Sequence, residues 1–208
     1  MRKESRKRLT AAVGLLAALA LTTSACGSSD GAQAKFHGIT HDAYKVLPDT
    51  LTDTDNKPFS LVSDTHKPLT LVFFGYTHCP DICPMVMSNL ASAMTRLTPE
   101  EQDKVQVIFV TTDPSRDTAA VLKRYLDHYN KSFLGLTGPI ATISKIAQPL
   151  AVYVAQGQKL PSGGYDLNTH STQVSAIGSD HKARVLWDMG TSSAQYAADI
   201  RTLLSEAS

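Results

Sequence analysis

Two of the three cysteines in this chain stand four residues apart, between prolines, in the stretch FFGYTHCPDICPMVMSNL at residues 73–90. The stretch joins two kinds of pattern, and so places two thiols in a strand-to-helix loop. LTLVFFGY (69–76) is apolar, too short for a stable helix and rich in β-formers, which reads as a strand buried on both faces. From Pro84 onward Met85, Met87, Leu90, Met94 and Leu97 recur at helical spacing, and Pro84 suits a helix's first turn. TPEEQDKV is expected to end that helix.

The pattern repeats downstream. VQVIFVTT (105–112) reads as a second buried strand, and DPSRDTAAVLKRYLDHY turns into a helix with Ala119, Leu122 and Tyr125 on one side. Two successive strand-to-helix units imply a right-handed crossover and a parallel pairing. ATISKIAQPLAVYVA is expected to give a short helix and then a strand, and the polar QGQKLPSGGYDLNTH an inserted loop or hairpin. TQVSAIG and ARVLWDM flank SDHK as a hairpin, and TSSAQYAADIRTLLSEA is a final helix with a Ser/Thr cap. Ahead of all this, LTDTDNKPFSLVS has the turn chemistry of a short N-terminal hairpin. The fold class is α/β: the order of elements resembles a thioredoxin-like fold with a mixed central sheet and flanking helices, and the cysteines fall at its redox-site loop.

Residues 1–25 have the composition of an export signal: five basic residues and one acid in MRKESRKR, then the apolar LTAAVGLLAALALTT. Cys26 follows TTSA and precedes the small, polar GSSDGAQA, an arrangement that resembles the lipobox of bacterial lipoproteins, with Thr23 where that motif usually has Leu. The expected organisation is a lipoprotein-type signal at 1–25, a flexible tether at 26–44 and a folded domain at 45–208, with Cys26 as the lipidated residue. Ordinary secretion and an uncleaved anchor are the alternatives, and all three put the domain outside the cytoplasm. Without residues 1–25 the chain keeps 15 basic and 18 acidic residues, a net charge of −3, and no basic tract that would favour nucleic acid. If Cys26 is modified, Cys79 and Cys83 remain as the only thiols, in a compartment where disulfides persist.

Thiols at i and i+4 near a helical turn share one face, so they can pair or converge on one metal ion. Two thiolates are soft ligands suited to Cu(I) or Zn(II), and one imidazole would complete a trigonal copper site. Of the seven histidines, His37 and His41 fall in the tether, His66 in a polar loop, His128 near a helix end and His181 in a hairpin turn, where solvated side chains are expected. His78 adjoins Cys79, and adjacent residues on an extended backbone point apart. His170 stands at the start of TQVSAIG, where thioredoxin-like enzymes carry a cis-proline against their cysteines. Trp187 is expected in the core. The Met85/Met87 pair is read as helix packing rather than a thioether site.

GYTHCPDICP, VTTDPSRDT and YDLNTHS, in that order over residues 75–171, resemble the Sco/SenC family of thioredoxin-fold copper proteins that help assemble the CuA centre of cytochrome c oxidase. The resemblance implies one copper ion per chain, Cu(I) or Cu(II), held by Cys79, Cys83 and His170, with Asp81 and Asp113 as supporting carboxylates behind the ligands. Thr169 stands where the family usually has an acidic residue. It further implies a copper chaperone on the outer face of a bacterial cytoplasmic membrane, anchored by lipid. Its partners would be the CuA-bearing subunit II of the oxidase and, as donor, another copper chaperone. Asp113, Arg116 and Asp117 also have an ordinary reading as helix capping and a local ion pair.

A second function uses the same residues: a thiol-disulfide reductase, with Cys79 and Cys83 as catalytic pair, that keeps the CuA cysteines reduced. A peroxidase needs Thr-x-x-Cys, whereas Thr77 lies only two residues before Cys79. A purely structural disulfide between residues this close would remove little chain entropy. The chain is therefore expected to be a chaperone rather than a conventional enzyme, with thiol-disulfide activity as the alternative.

Overall fold

The computed structural model describes residues 36–154, 158–159, 165–166 and 171–207. Among these, strands β1 (Ile39–Lys45), β2 (Thr50–Asp53), β3 (Pro58–Ser60), β4 (Leu69–Gly75), β5 (Val105–Thr111), β6 (Leu134–Thr137), β9 (Val174–Gly178) and β10 (Lys182–Trp187) form one sheet. Its order is β1-β10-β9-β4-β5-β6-β2-β3. A separate two-stranded ribbon, β7 (Gln158–Lys159) with β8 (Tyr165–Asp166), falls within the stretch expected as an inserted loop or hairpin.

All seven residues of β4 are buried, as its near-continuous apolar run requires, Thr70 included. It pairs in parallel with β5, which pairs in parallel with β6, while β9 runs antiparallel on its other side. Side chains alternate across the pleat: Leu71 and Phe73 join one core layer, Val72 and Phe74 the other. Helices α1 (Ile82–Thr95), α3 (Ala119–Asp127) and α5 (Ser193–Glu206) cover the first layer, and α4 (Ile140–Ala147) covers the second. The result is a thioredoxin-like α/β fold whose β4–α1 and β5–α3 loops emerge at the same sheet edge, tied together by Thr112 N–H donating to the Gly75 carbonyl at 2.6 Å.

Several boundaries differ from the sequence reading for local reasons. Helix α1 starts at Ile82, with Asp81 as its N-cap, so Pro84 sits inside the first turn, where no intrahelical donor is lost. It stops at Thr95, and Thr98 and Glu101 close a capping box that makes TPEEQ the start of a short helix of its own, α2 (Pro99–Asp103). Strand β6 was not anticipated because four residues containing a glycine carry little β signal; Gly135 is required where a Cβ would come within 3.0 Å of Leu122 and Leu126. Of the strand expected in AVYVA, the described residues show one bridging residue, Val154, after Ala151 turns the chain at φ 56°. The N-terminal hairpin is present as β2–β3, with Asn56 at φ 61° and Asp53 accepting the N–H groups of Asp55 and Lys57 at 2.8 Å each.

The end of the expected tether belongs to the fold. Phe36 is buried, and β1 pairs antiparallel with β10 from Ile39↔Leu186 to Lys45↔Lys182. What fixes this arm is the buried Asp199 of α5, which accepts from the His37 N–H, His37 Nδ1 at 2.8 Å, the Gly38 N–H at 2.9 Å and Trp187 Nε1 at 2.7 Å. Gly38 is obligatory, since a Cβ there would lie 2.7 Å from Trp187 Nε1. His37 is thus a structural partner rather than a tether side chain, and Trp187 lies in the core as expected. No helix among the described residues is long and apolar enough to cross a membrane.

Burial pushes the Asp199 carboxyl up, and the donors from His37, Trp187 and Gly38 more than offset it, holding it below the usual carboxylate range. A carboxylate depressed on folding contributes stability above its unfolded pKa and loses it as pH falls through the folded one, so this contribution should fade below about pH 4. Asp199→Ala strands several buried donors and is expected to cost about 3 kcal/mol. Urea unfolding followed by Trp187 fluorescence checks both, the acid-labile component being absent from the variant.

Candidate metal centre

The Cys79–Cys83 loop leaves β4 at Gly75 and ends where the Asp81 carboxylate accepts from the Ile82 N–H at 2.6 Å, opening α1. Asp81 is exposed, and its role in the structure is this cap. Cys83 therefore lies in the first turn of α1 and Cys79 just outside it. The Cys79 N–H donates to the Tyr76 carbonyl at 3.3 Å, and the Cys83 N–H donates to Cys79 Sγ at 3.3 Å. That second bond spends a helix-terminal donor on the first sulfur, which brings the two cysteines together as the i, i+4 spacing implies.

Both cysteines are free thiols, and both are buried. They differ in degree: Cys79 keeps 9% of its surface exposed, Cys83 none. Burial pushes the Cys83 thiol far above its ordinary value; the Cys79 sulfur and the Asp117 charge push the same way, against a lowering backbone hydrogen bond from Tyr76. Burial also raises the Tyr76 phenol, to about 12, with the charge and hydrogen bond of Cys79 adding to the shift. Tyr125, packed on Phe109 with ring centroids 5.6 Å apart, is pushed up by the same burial. The surroundings are apolar and aromatic, and for Cys83 they favour the neutral thiol.

The β5–α3 loop supplies the carboxylates. Asp113 accepts from Ser115 Oγ at 2.7 Å and forms a close ion pair with Arg116, so its oxygens are engaged within its own turn. The N-cap of α3 is Thr118, not Asp117. Asp117 turns inward instead, with no exposure, and binds the cysteine loop at Thr77. The ion pair was readable from the sequence; the inward turn of Asp117 was not, because a carboxylate before a helix carries the same signal whether it caps or crosses to another loop.

His78 is exposed, with Nδ1 at 3.0 Å from Thr77 Oγ1 and 3.8 Å from Asp117 Oδ1. His66 is solvent-facing, and His128 Nδ1 bonds the Arg124 carbonyl. His41 stacks on Tyr44, and His181 occupies the β9–β10 turn at φ 54°. Among the described residues no three His, Cys, Asp or Glu side chains are grouped as a metal site. His170 and Cys26 lie outside the described residues. Met87 is wholly buried, as the packing reading expects, whereas Met85 is 43% exposed. The donor set, two adjacent buried sulfurs, is chemically suited to a soft ion such as Cu(I).

Gly75 gives this geometry a sharp test. A Cβ there would lie 2.9 Å from Cys83 Sγ and 2.9 Å from the Phe73 ring, so Gly75→Ala must displace one of them. The expected cost is about 1–3 kcal/mol, together with faster alkylation of Cys83, which native burial should otherwise leave slower to react than Cys79; mass spectrometry of iodoacetamide-treated protein reads both.

A family model described as SCO1/SenC matches residues 40–205. A protein of Stutzerimonas stutzeri described as a putative copper-binding protein is 33% identical over 135 residues, 64% of this chain and 64% of that one. The chain spans less than two thirds of the length of these curated relatives. Apo Sco1 of Thermus thermophilus is 30% identical with a TM-score of 0.72, covering 81% of this chain and 96% of that one. ScoI of Bradyrhizobium japonicum, solved with copper bound, is 33% identical with a TM-score of 0.65, covering 76% and 98%. With the family match running from β1 into α5, over the whole sheet and the cysteine loop, the chain belongs to the SCO1/SenC family.

Proposed function

We propose that this protein is an extracytoplasmic copper chaperone, which takes one copper ion on Cys79, Cys83 and His170 and passes it on for maturation of the CuA site of cytochrome c oxidase. The observation that carries the reading is the free, adjacent, buried thiol pair at the end of β4. Copper is cargo here. The two sulfurs supply soft donors, and burial disfavours the anionic form of Cys83 without a cation beside it, so loading releases the Cys83 proton. The copper-bound relative from Bradyrhizobium japonicum and the copper-binding description of the Stutzerimonas stutzeri relative support copper as the ion. His170 as third donor rests on its position in the sequence, four residues ahead of β9, the strand that pairs with β4. The oxidase subunit as recipient, a copper donor protein, and a lipid anchor at Cys26 on the outer face of the cytoplasmic membrane complete the proposal.

One observation favours a second reading. The unequal exposure of the pair, with Cys79 reachable and Cys83 sealed, suits dithiol exchange. The Cys79 thiolate would attack one sulfur of a partner disulfide, releasing the other as a thiolate. Cys83, losing its proton to solvent, would then attack Cys79 Sγ and release the second partner thiolate. The partner gains two electrons and the Cys79–Cys83 disulfide forms.

His170 separates the two, because exchange needs no imidazole. Anaerobic competition for Cu(I) against a chelator, followed by oxidation and the optical spectrum of Cu(II), should give one tightly held copper in the wild type. In His170→Ala the affinity is expected to fall at least about tenfold, as loss of a copper ligand or its support does, with a changed sulfur-to-copper charge-transfer band. Unchanged affinity, stoichiometry and spectrum would remove His170 from the site; no competitive binding by the wild type, with ready reduction of a partner disulfide, would favour the reductase.

A further inference from the structure

We infer that Asp117 is the positioning residue of the cysteine loop: a buried carboxylate that holds Thr77, and through it Cys79, and leaves a negative charge beside the thiols for an incoming cation. Asp117 is fully buried at the start of α3. Its Oδ2 accepts from the Thr77 N–H at 2.9 Å and from Thr111 Oγ1 at 2.7 Å, while Oδ1 accepts from Thr77 Oγ1 at 2.5 Å. Thr77 thus gives both its backbone and side-chain donors to one carboxylate, two residues before Cys79. Thr111 ends β5 and also accepts from the Asp113 N–H at 2.9 Å, so the anchor of the clamp is the rigid sheet and the tethered element is the loop.

The charge is the second half of the inference. A carboxylate taken wholly out of water is costly unless hydrogen bonded and paired with a cation. Asp117 has the hydrogen bonds, but among the described residues the nearest group able to carry positive charge is His78, at 3.8 Å and mostly exposed, whereas Arg116 pairs with Asp113. Its two bonds to Thr77 set this charge against the cysteine loop, two residues before Cys79. An ion arriving between the sulfurs would receive attraction that the thiols alone do not provide, and the loop would already be set when it arrived. Folding stability would be served as well by a neutral, hydrogen-bonded side chain, and a merely local cap would not reach across to Thr77.

The assignment rests on the proposed copper reading for its ligand, and its test has a second readout that does not. Asp117→Asn keeps shape and removes the charge and one of the two acceptor oxygens, while Thr77→Val keeps the carboxylate and removes the hydroxyl's bond to it. With Cu(I) itself as probe, Asp117→Asn is expected to lose at least about tenfold in affinity and to shift the Cu(II) charge-transfer band, with Thr77→Val showing a smaller loss. In the metal-free proteins, Cys79 should react with iodoacetamide several-fold faster in Asp117→Asn as the loop is released. If the wild type binds no copper, the chaperone proposal fails while the alkylation rates still decide the clamp. A folded Asp117→Asn protein with wild-type alkylation, affinity and spectrum would overturn the inference; if that variant does not fold, a Thr77→Val protein indistinguishable from wild type in all three would do so.

Discussion

Everything at the thiol site depends on β4 being buried on both faces. A strand with apolar side chains on each side of the pleat can lie only at the centre of a sheet, and its C-terminal end then opens beneath helices on one face and beside the next parallel strand. The two sulfurs are delivered into that dry corner. Gly75 completes the arrangement by leaving out a side chain, since Cys83 Sγ occupies the space a Cβ would need. Burial then acts on the chemistry directly, by pushing the Cys83 thiol well above its ordinary value.

The neighbouring loop is built to a different rule. Where β4 ends in apolar packing, β5 ends in hydroxyls and carboxylates: Thr111, Asp113, Ser115, Arg116 and Asp117 in close succession. Asp113 and Arg116 satisfy one another locally, which leaves Asp117 to cross to the cysteine loop. A pair of soft sulfur donors thus sits beside a loop braced by a hard carboxylate. The separation matters, because carboxylates mixed among the thiols would invite hard cations, whereas a carboxylate held behind them contributes charge without competing as a ligand. At the far end of the chain the same device recurs for a structural purpose, with Asp199 gathering the donors of the N-terminal arm and Trp187.

Much of this was legible in the sequence. The near-continuous apolar run of β4 and the mostly apolar run of β5, the helical spacing after Pro84 and the turn residues around Asn56 and SDHK each express a local rule, and the elements follow in type and order. What was not legible depends on tertiary context. β1 looked like tether because its residues are mostly exposed and mixed in character, and only pairing with β10 and the Asp199 cluster makes it a strand. β6 is too short to announce itself. Of the site, the cysteine pair and its loop followed from spacing alone, whereas the inward turn of Asp117 has no sequence signature distinct from a cap, and the exposure of Met85 beside the buried Met87 depends on which face of α1 the core takes.

The claim on which the account turns is that Cys79 and Cys83 hold copper together. Copper K-edge X-ray absorption on the Cu(I)-loaded protein, with Cys79→Ser and Cys83→Ser alongside, tests it most directly. The expected result is sulfur from both cysteines in the wild-type coordination shell, reduced by one scatterer in each variant. A shell of nitrogen and oxygen alone, or sulfur scattering unchanged by either substitution, would contradict it.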